Sequence, residues 1–288
     1  MKISIIGCGF VGRGLGQGFE TLGNDVIFYD INQGVLNSLK KDHQTSLDLT
    51  YVIKNTSISF VCVPTPYNNG FDSTYIKSSL RAIGEVLKAK NDFHLIVIKS
   101  TILLTMTRKL LIPILNENTI VGEKVGVCMN PEFMTQSSSS WTDNKNFEKV
   151  FMNEDRIVIG EYDKRSGDIL EKLYAPLNKP IFRVSLDMAE MLKYASNCML
   201  ATKISFWNEI FLICNELGIE SNELAGISAL DPRIGIYGTV HGKAFGGECL
   251  EKDLQSFIEF SDKIGEFKLL KSVNEVNKKM KKEYGQRN

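Results

Sequence analysis

The sequence carries no net charge, since 34 Lys and Arg balance 34 Asp and Glu. That balance speaks against a dedicated nucleic-acid binder and against a polybasic membrane-surface protein, both of which need a basic field. No run approaches the ~18 consecutive apolar residues of a membrane-spanning helix. The opening apolar run, Ile3–Ile6, is stopped at once by Gly7-Cys8-Gly9, so no signal peptide is expected. The six cysteines include no C-x-x-C pair and no metal-ligand spacing, and no metal site is expected. Cys8, Cys62 and Cys128 fall in or beside strand-like runs, where cysteine is ordinarily a small buried hydrophobe. Only three histidines occur, His43, His94 and His241, none with a catalytic partner at suggestive spacing. Internal repeats are also missing. These absences together describe a soluble, cytoplasmic protein with free thiols.

What is present is ample apolar side chain, 43% of 288 residues, enough for two compact domains. The first half alternates short apolar runs with helical patterns. Strands are read at Ile3–Ile6, Val26–Tyr29, Ile58–Val63, Leu95–Ile98 and Lys124–Cys128. Helices are read at Val11–Leu22, Ser73–Ala89 and Met106–Leu115, with Ile76, Leu80, Ile83 and Leu87 at helical spacing. This order predicts an α/β fold, a Rossmann-type doubly wound parallel sheet with right-handed crossovers. Arg156–Ile159, a helix at Asp163–Tyr174 and Ile181–Phe182 continue it to the far edge. The polar stretch from Thr135 to Glu154 reads as a surface loop. From Ser185 to Leu217 there is no Gly or Pro for 33 residues, which predicts one long helix. Further helices at Asn222–Ala229, Leu250–Lys263 and Leu269–Lys282 complete a small all-α domain too small to cover the long helix, so a homodimer is expected. The predicted domains are 1–183, binding a dinucleotide, and 184–288, carrying the long helix and the helical remainder. The last stretch, Lys263 to Asn288, is mildly basic.

Gly7-Cys8-Gly9-Phe10-Val11-Gly12 is a G-x-G-x-x-G placed after the first strand and opening a helix. The first Gly makes the turn, the second lets backbone approach a pyrophosphate, and the third allows close helix–strand packing. Asp30 ends the second strand, where a carboxylate accepts ribose hydroxyls and repels a 2′-phosphate, favouring NAD. A strand-end or capping acid is the plainer alternative for Asp30. Gly14, Gly16 and Gly18 weaken the first helix and call for tight packing. Cys249 follows a Gly-Gly turn and opens an amphipathic helix with Lys252 nearby, an arrangement that favours a thiolate. A thiolate traps an aldehyde, passes through a thioester and releases a carboxylate to water. Asp253 lies one turn on from Cys249, and Lys193 and Asn197 share one face of the long helix. A solvated lysine, a surface acid and a strand-ending turn at Asn130-Pro131 remain the bland readings.

Seven segments occur in register: Val63-Pro64-Thr65-Pro66, Lys99-Ser100-Thr101, Asn130-Pro131-Glu132-Phe133, Asp155–Gly160, Ala189-Glu190 with Lys193 and Asn197, Lys203–Phe206, and Phe245–Leu250 with Lys252-Asp253. The chain thereby resembles the UDP-glucose/GDP-mannose (nucleotide-sugar) dehydrogenases from Lys2 to about Lys282. The resemblance implies NAD-dependent, four-electron oxidation of a sugar's primary alcohol, in polysaccharide biosynthesis. By resemblance Cys249 is the nucleophile, Lys193 and Asn197 stabilise the oxyanion, and Asp253 holds the water or the lysine. Glu132 is the base, and Thr101 positions water and nicotinamide. NAD contacts are implied for Gly7, Gly9, Phe10, Val11, Gly12, Asp30, Val63, Pro64, Thr65, Thr101 and Gln136. Sugar-nucleotide contacts are implied for Glu132, Phe133, Lys193, Asn197, Arg233, Tyr237, Phe245, Gly246 and Gly247, with Arg233 reaching across a dimer. Tyr194 is a weaker candidate. The Asp231–Gly235 and Lys203–Phe206 segments lean towards UDP-glucose.

Departures from the family pattern are Gln136 in place of a second Glu, Glu251 in place of a proline, and no basic residue at Gln33-Gly34. Family members continue into a further α/β domain, and the sequence is expected to stop in the helix that links to it. Two alternatives stand beside the dehydrogenase: a catalytically impaired NAD-binding dimer with a scaffold or regulatory role, and a β-hydroxyacid dehydrogenase. The Val-Pro-Thr-Pro segment and the cysteine at 249 speak against the second.

Overall fold

The computed structural model describes residues 1–135, 141–142, 150–246 and 249–287. Gln136 and Gly247, both expected at the site, lie outside the described residues, as does most of the polar stretch after Thr135. The chain divides into two compact units: residues 1–65, 71–134 and 149–193 form the first, and 66–70, 135–148 and 194–288 the second.

The first unit is built on strands β1 (Lys2–Ile6), β2 (Asp25–Tyr29), β3 (Gln44–Ser46), β4 (Ile58–Val61), β5 (His94–Ile98), β6 (Val125–Met129), β7 (Ile157–Glu161) and β8 (Ile181–Ser185). They form one sheet in the order β3-β2-β1-β4-β5-β6-β7-β8. Every neighbouring pair is parallel except β6 with β7, which is antiparallel. The order reverses between β1 and β4, the switch point at which such sheets open a crevice at the strand carboxyl ends. Helices α1 (Phe10–Thr21), α2 (Gln33–Asn37), α3 (Leu49–Asn55), α4 (Thr74–Leu87), α5 (Ile112–Asn116) and α6 (Lys164–Tyr174) connect the strands.

Side-chain alternation along the strands feeds two cores. On one face Ile6, Val61, Ile96, Ile98 and Val127 pack with Ile76, Leu80 and Ile83 of α4. On the other, Ile3, Ile5, Phe28, Phe60 and Val97 pack with Leu15 and Phe19 of α1 and Leu170 of α6. Strands buried on both faces read as near-continuous apolar runs, which is why most were visible in the sequence. The extra glycines of α1 have a steric cause at two positions. A Cβ on Gly16 would stand 2.3 Å from the Phe28 ring, and one on Gly18 would stand 2.0 Å from the Phe151 ring.

Helix α7 runs Leu186–Leu217, and its first eight residues belong to the first unit. The second unit adds α8 (Ser221–Ser228), α9 (Leu250–Asp262) and α10 (Leu269–Tyr284), with a short parallel pair of β9 (Ala244–Phe245) and β10 (Gln286–Arg287). Its core gathers Cys198, Ala201, Ile204, Phe245, Leu254 and Val273. Among the described residues no helix is long and apolar enough to cross a membrane.

Candidate active site

In the first unit, the turn after β1 has the shape that a pyrophosphate requires. Gly7 has φ +95, and a Cβ there would meet the Cys62 carbonyl carbon at 2.9 Å, where β4 ends. A Cβ on Gly12 would stand 2.0 Å from Gly7 O, so α1 starts as close to the strand as backbone allows. Gly9 caps α1 with no side-chain hydrogen bond and has open space about its Cβ position. The helix therefore opens on backbone N–H groups that no side chain caps, a ready anion site. Arg13 braces the turn by donating to Cys8 O at 2.9 Å and Ser38 Oγ at 2.8 Å. Asp30 accepts from Cys8 N at 2.8 Å and Asn32 N at 2.9 Å, one bond to each oxygen. Half-exposed, it keeps lone pairs free for a ribose diol. These residues fit the pyrophosphate and ribose of NAD. Cys8, inside the motif, is buried, and its thiol is pushed up to about 12 by burial and by Asp30. It is a packing group here, as its place in the core suggests.

The loops after β4 and β5 are tied to each other. Thr65 Oγ1 donates to Thr101 O at 2.7 Å and Ser100 Oγ donates to Val63 O at 2.6 Å. Val63, Thr65 and Thr101 therefore stand on joined backbone at the carboxyl edge of the sheet, with Pro64 exposed.

Glu132 sits three residues past β6 and is 7% exposed. One carboxylate oxygen accepts from Met134 N. The other lies 3.3 Å from Lys99 Nζ, out of line for a hydrogen bond, and has no hydrogen-bond partner among the described residues. Lys99, at 2% exposure, also donates to Asn130 Oδ1 at 3.0 Å and Pro131 O at 3.3 Å. Tyr174 OH donates to the same Asn130 oxygen at 2.6 Å. Burial is the largest single influence on Lys99 and works to lower its pKa, but Glu132, with Tyr174, Glu154 and Cys62, together outweigh it and the ammonium is held charged. Lys193 donates to Glu132 O, and its Nζ lies 5.6 Å from the centroid of the Phe133 ring. The motif residues Glu132, Phe133 and Lys193 are thus brought together. Lys99, Asn130 and Tyr174 join them as residues to which the sequence reading assigned no role.

In the second unit, Cys249 is exposed and stands at the N-cap of α9. One turn on, Asp253 is 1% exposed. Its Oδ2 accepts from Asn197 Nδ2 at 2.6 Å and its Oδ1 accepts from Lys252 Nζ at 2.5 Å. Asn197, Lys252 and Asp253 are therefore one cluster, with the Lys252 charge already engaged by Asp253. Asp253 and, more strongly, burial raise the neighbouring Cys198 thiol to about 12. Arg233 is exposed and forms a two-point pair with Asp231. The Tyr237 hydroxyl is raised to about 12 by burial. Tyr194 is fully buried and stacks on Phe257 at 5.2 Å. The Phe245 ring is buried, and a Cβ on Gly246 would collide with Gln286 at 1.7 Å.

A doubly wound sheet with this glycine turn and acid is the architecture of a dinucleotide-binding protein. Residues 42–178 match the NAD binding domain of the UDP-glucose/GDP-mannose dehydrogenase family, and residues 187–279 match its central domain. The chain is 35% identical to GDP-mannose 6-dehydrogenase of Pseudomonas syringae pv. tomato, over 89% of this chain. It is 33% identical to UDP-glucose 6-dehydrogenase TuaD of Bacillus subtilis, over 97% of this chain. It spans 63% of the length of each of those relatives. A UDP-glucose dehydrogenase from Pyrobaculum islandicum superposes with a TM-score of 0.86 at 31% identity, covering 98% of this chain and 68% of that one. The chain belongs to the UDP-glucose/GDP-mannose dehydrogenase family, and its cofactor is NAD. That membership disfavours the β-hydroxyacid dehydrogenase alternative.

Proposed function

We propose that this chain oxidises the primary alcohol of a nucleotide sugar to a carboxylate, with UDP-glucose giving UDP-glucuronate. Cys249 carries this reading. All six cysteines are described and it alone is exposed, at the head of a helix and one turn from a buried, doubly bonded aspartate. NAD, when bound, supplies the acceptor for each hydride leaving the sugar carbon. The alcohol is first oxidised to an aldehyde. The Cys249 sulfur adds to the aldehyde carbon, and the new C–S bond gives a thiohemiacetal. Loss of the second hydride leaves a thioester, which water cleaves to carboxylate and free thiol. Lys193 and Asn197 supply an ammonium and an amide to the oxyanions formed on the way. Asp253 fixes the Asn197 amide through Oδ2. The Glu132 oxygen that has no hydrogen-bond partner among the described residues is the acceptor for the attacking water's proton, and Thr101 positions that water. Arg233, from a second copy, Phe133, Tyr237 and the Phe245-Gly246 segment hold the nucleotide sugar.

The test gives the purified chain NAD with UDP-glucose, other UDP-sugars and GDP-mannose, and follows NADH. GDP-mannose belongs in the panel because relatives bearing that name share as much identity as those named for UDP-glucose. Two NADH per UDP-glucose, abolished in Cys249→Ser, is the expected result. Bound NAD without turnover at millimolar sugar overturns the reading. We further propose that the chain works as a homodimer through α7.

A further inference from the structure

The segment leading to Cys249 is gripped by two asparagines that the chemistry above does not use. Asn208 lies on α7 and Asn277 on α10, buried to 0% and 1% exposure. Asn208 Oδ1 accepts from Gly242 N at 2.8 Å, and its Nδ2 donates to Lys243 O at 2.9 Å. Asn277 Oδ1 accepts from Phe245 N at 2.8 Å, and its Nδ2 donates to Phe245 O at 3.0 Å. Between them, Ala244 N donates to Gly285 O at 3.0 Å. Two helices and the chain just before β10 thus hold four consecutive residues by their backbone.

Neither asparagine is what a helix core ordinarily selects. Asparagine is a poor helix former, and a buried amide is tolerated only when its donor and acceptor are both satisfied. Here each amide satisfies both by pairing with backbone outside its own helix, and both choose Gly242–Phe245. Packing alone would be met by leucine. The Phe245 ring is itself wholly buried, so that residue is anchored by ring and peptide together. Cys249 follows four residues later, at the start of α9.

We propose that Asn208 and Asn277 are positioning residues, which by locking the Gly242–Phe245 backbone set where the Cys249 sulfur stands. The proposal rests on Cys249 being the nucleophile of the reaction proposed above. Its functional lever is distance, because a displacement of ~1 Å at a reacting atom costs about a hundredfold in rate.

The experiment uses the full chain and Asn277→Asp, Asn277→Leu and Asn208→Asp. Asn277→Asp keeps the acceptor for Phe245 N–H but loses the donor and sets a carboxylate oxygen against Phe245 O. Each variant is scored by melting, by alkylation of Cys249 with iodoacetamide read by peptide mass spectrometry, and by NADH formation. We expect folded Asn277→Asp to change the Cys249 alkylation rate by about threefold or more, and kcat to fall about tenfold, with the KM for NAD unchanged. A role in stability alone would lower the melting temperature and leave both rates of the folded molecules as they were, which overturns the proposal. Should the variants fail to fold, amide exchange in the unaltered chain decides. Gly242 and Phe245 amides as protected as the interior of α10 support the clamp, and loop-like exchange overturns it. If the unaltered chain does not turn over, the dehydrogenase reading fails by itself, and alkylation and exchange still judge the clamp.

Discussion

Two buried sites of the first unit, an ion pair and a single histidine residue, respond to charge and pH. Lys99 and Glu132 are a largely buried ion pair, with the lysine also bonded to Asn130 and Pro131. Such a pair adds little net stability, but removing one member strands the other. Lys99→Met is expected to cost about 3–5 kcal/mol in urea unfolding, with Glu132→Gln in the same chain restoring much of it. A loss below ~1 kcal/mol would show that Glu132 does not depend on the Lys99 charge. The second site is His94, whose Nε2 meets Ser59 Oγ at 2.7 Å and whose Nδ1 meets Lys90 Nζ at 2.9 Å. Burial, then the Lys90 ammonium, push its pKa from 6.5 down to about 3. The folded state therefore holds the ring neutral, while the unfolded chain takes up a proton below 6.5. His94 thus contributes stability that is present above pH 6.5 and drains away as pH falls towards 3, by roughly 2 kcal/mol at pH 5. Urea midpoints at the two pH values measure it, and His94→Gln should flatten that slope. Glu132 was legible in the sequence because its motif marks it. Lys99 and His94 were not assigned roles, because their burial, and their bonds to Asn130 and Ser59 more than 30 residues away, are encoded in no local pattern.

Elements with strong periodicity were read nearly to the residue. The long helix needed only the lack of Gly and Pro, and α4 needed only its four apolar positions. The short elements escaped. Strand β3 is a polar edge strand, Gln44–Ser46, and α3 is a short helix whose N-cap is Asp48, bonded to Tyr51 N at 3.0 Å. The expected helix at Met106–Leu115 is a wide π-type turn at Thr107–Leu111 followed by α5. Its cause is tertiary. Glu190, fully buried on α7, accepts from Thr105 N at 2.5 Å and Thr107 N at 2.9 Å. Thr105 is thereby held at φ +65, a costly conformation for a β-branched residue. Glu190→Gln would turn an amide hydrogen towards one of those N–H groups, and the expected loss is about 1–3 kcal/mol. Thr105→Gly should move stability the other way, by up to about 1 kcal/mol, because glycine takes positive φ without strain. Chemical denaturation of both variants checks the argument, and a destabilised Thr105→Gly would sink it.

At the scale of the whole molecule, one face of α7 lacks a cover within the chain's described residues. Met199, Phe206 and Ile213 recur every seven residues along it at 61%, 54% and 50% exposure, and Leu217 ends the row at 66%. A seven-residue spacing keeps side chains on one face of a helix, and an apolar seam of that period is a surface for another helix. Soluble chains rarely leave a contiguous row of large apolar side chains to water. The sequence already required a cover for this helix from its length and its apolar content. What it could not show was which turns the second unit leaves bare, because that depends on where α8, α9 and α10 pack. A second copy of the chain meeting this face about a two-fold axis satisfies both, since α7 then supplies its own complement. The expected outcome is a dimer in sedimentation at micromolar concentration. Phe206→Glu, which places a carboxylate in the middle of the seam, should sediment as a monomer with the helical content of the unaltered chain. If the unaltered chain sediments as a monomer throughout that range, or if Phe206→Glu leaves the dimer intact, α7 is not the interface.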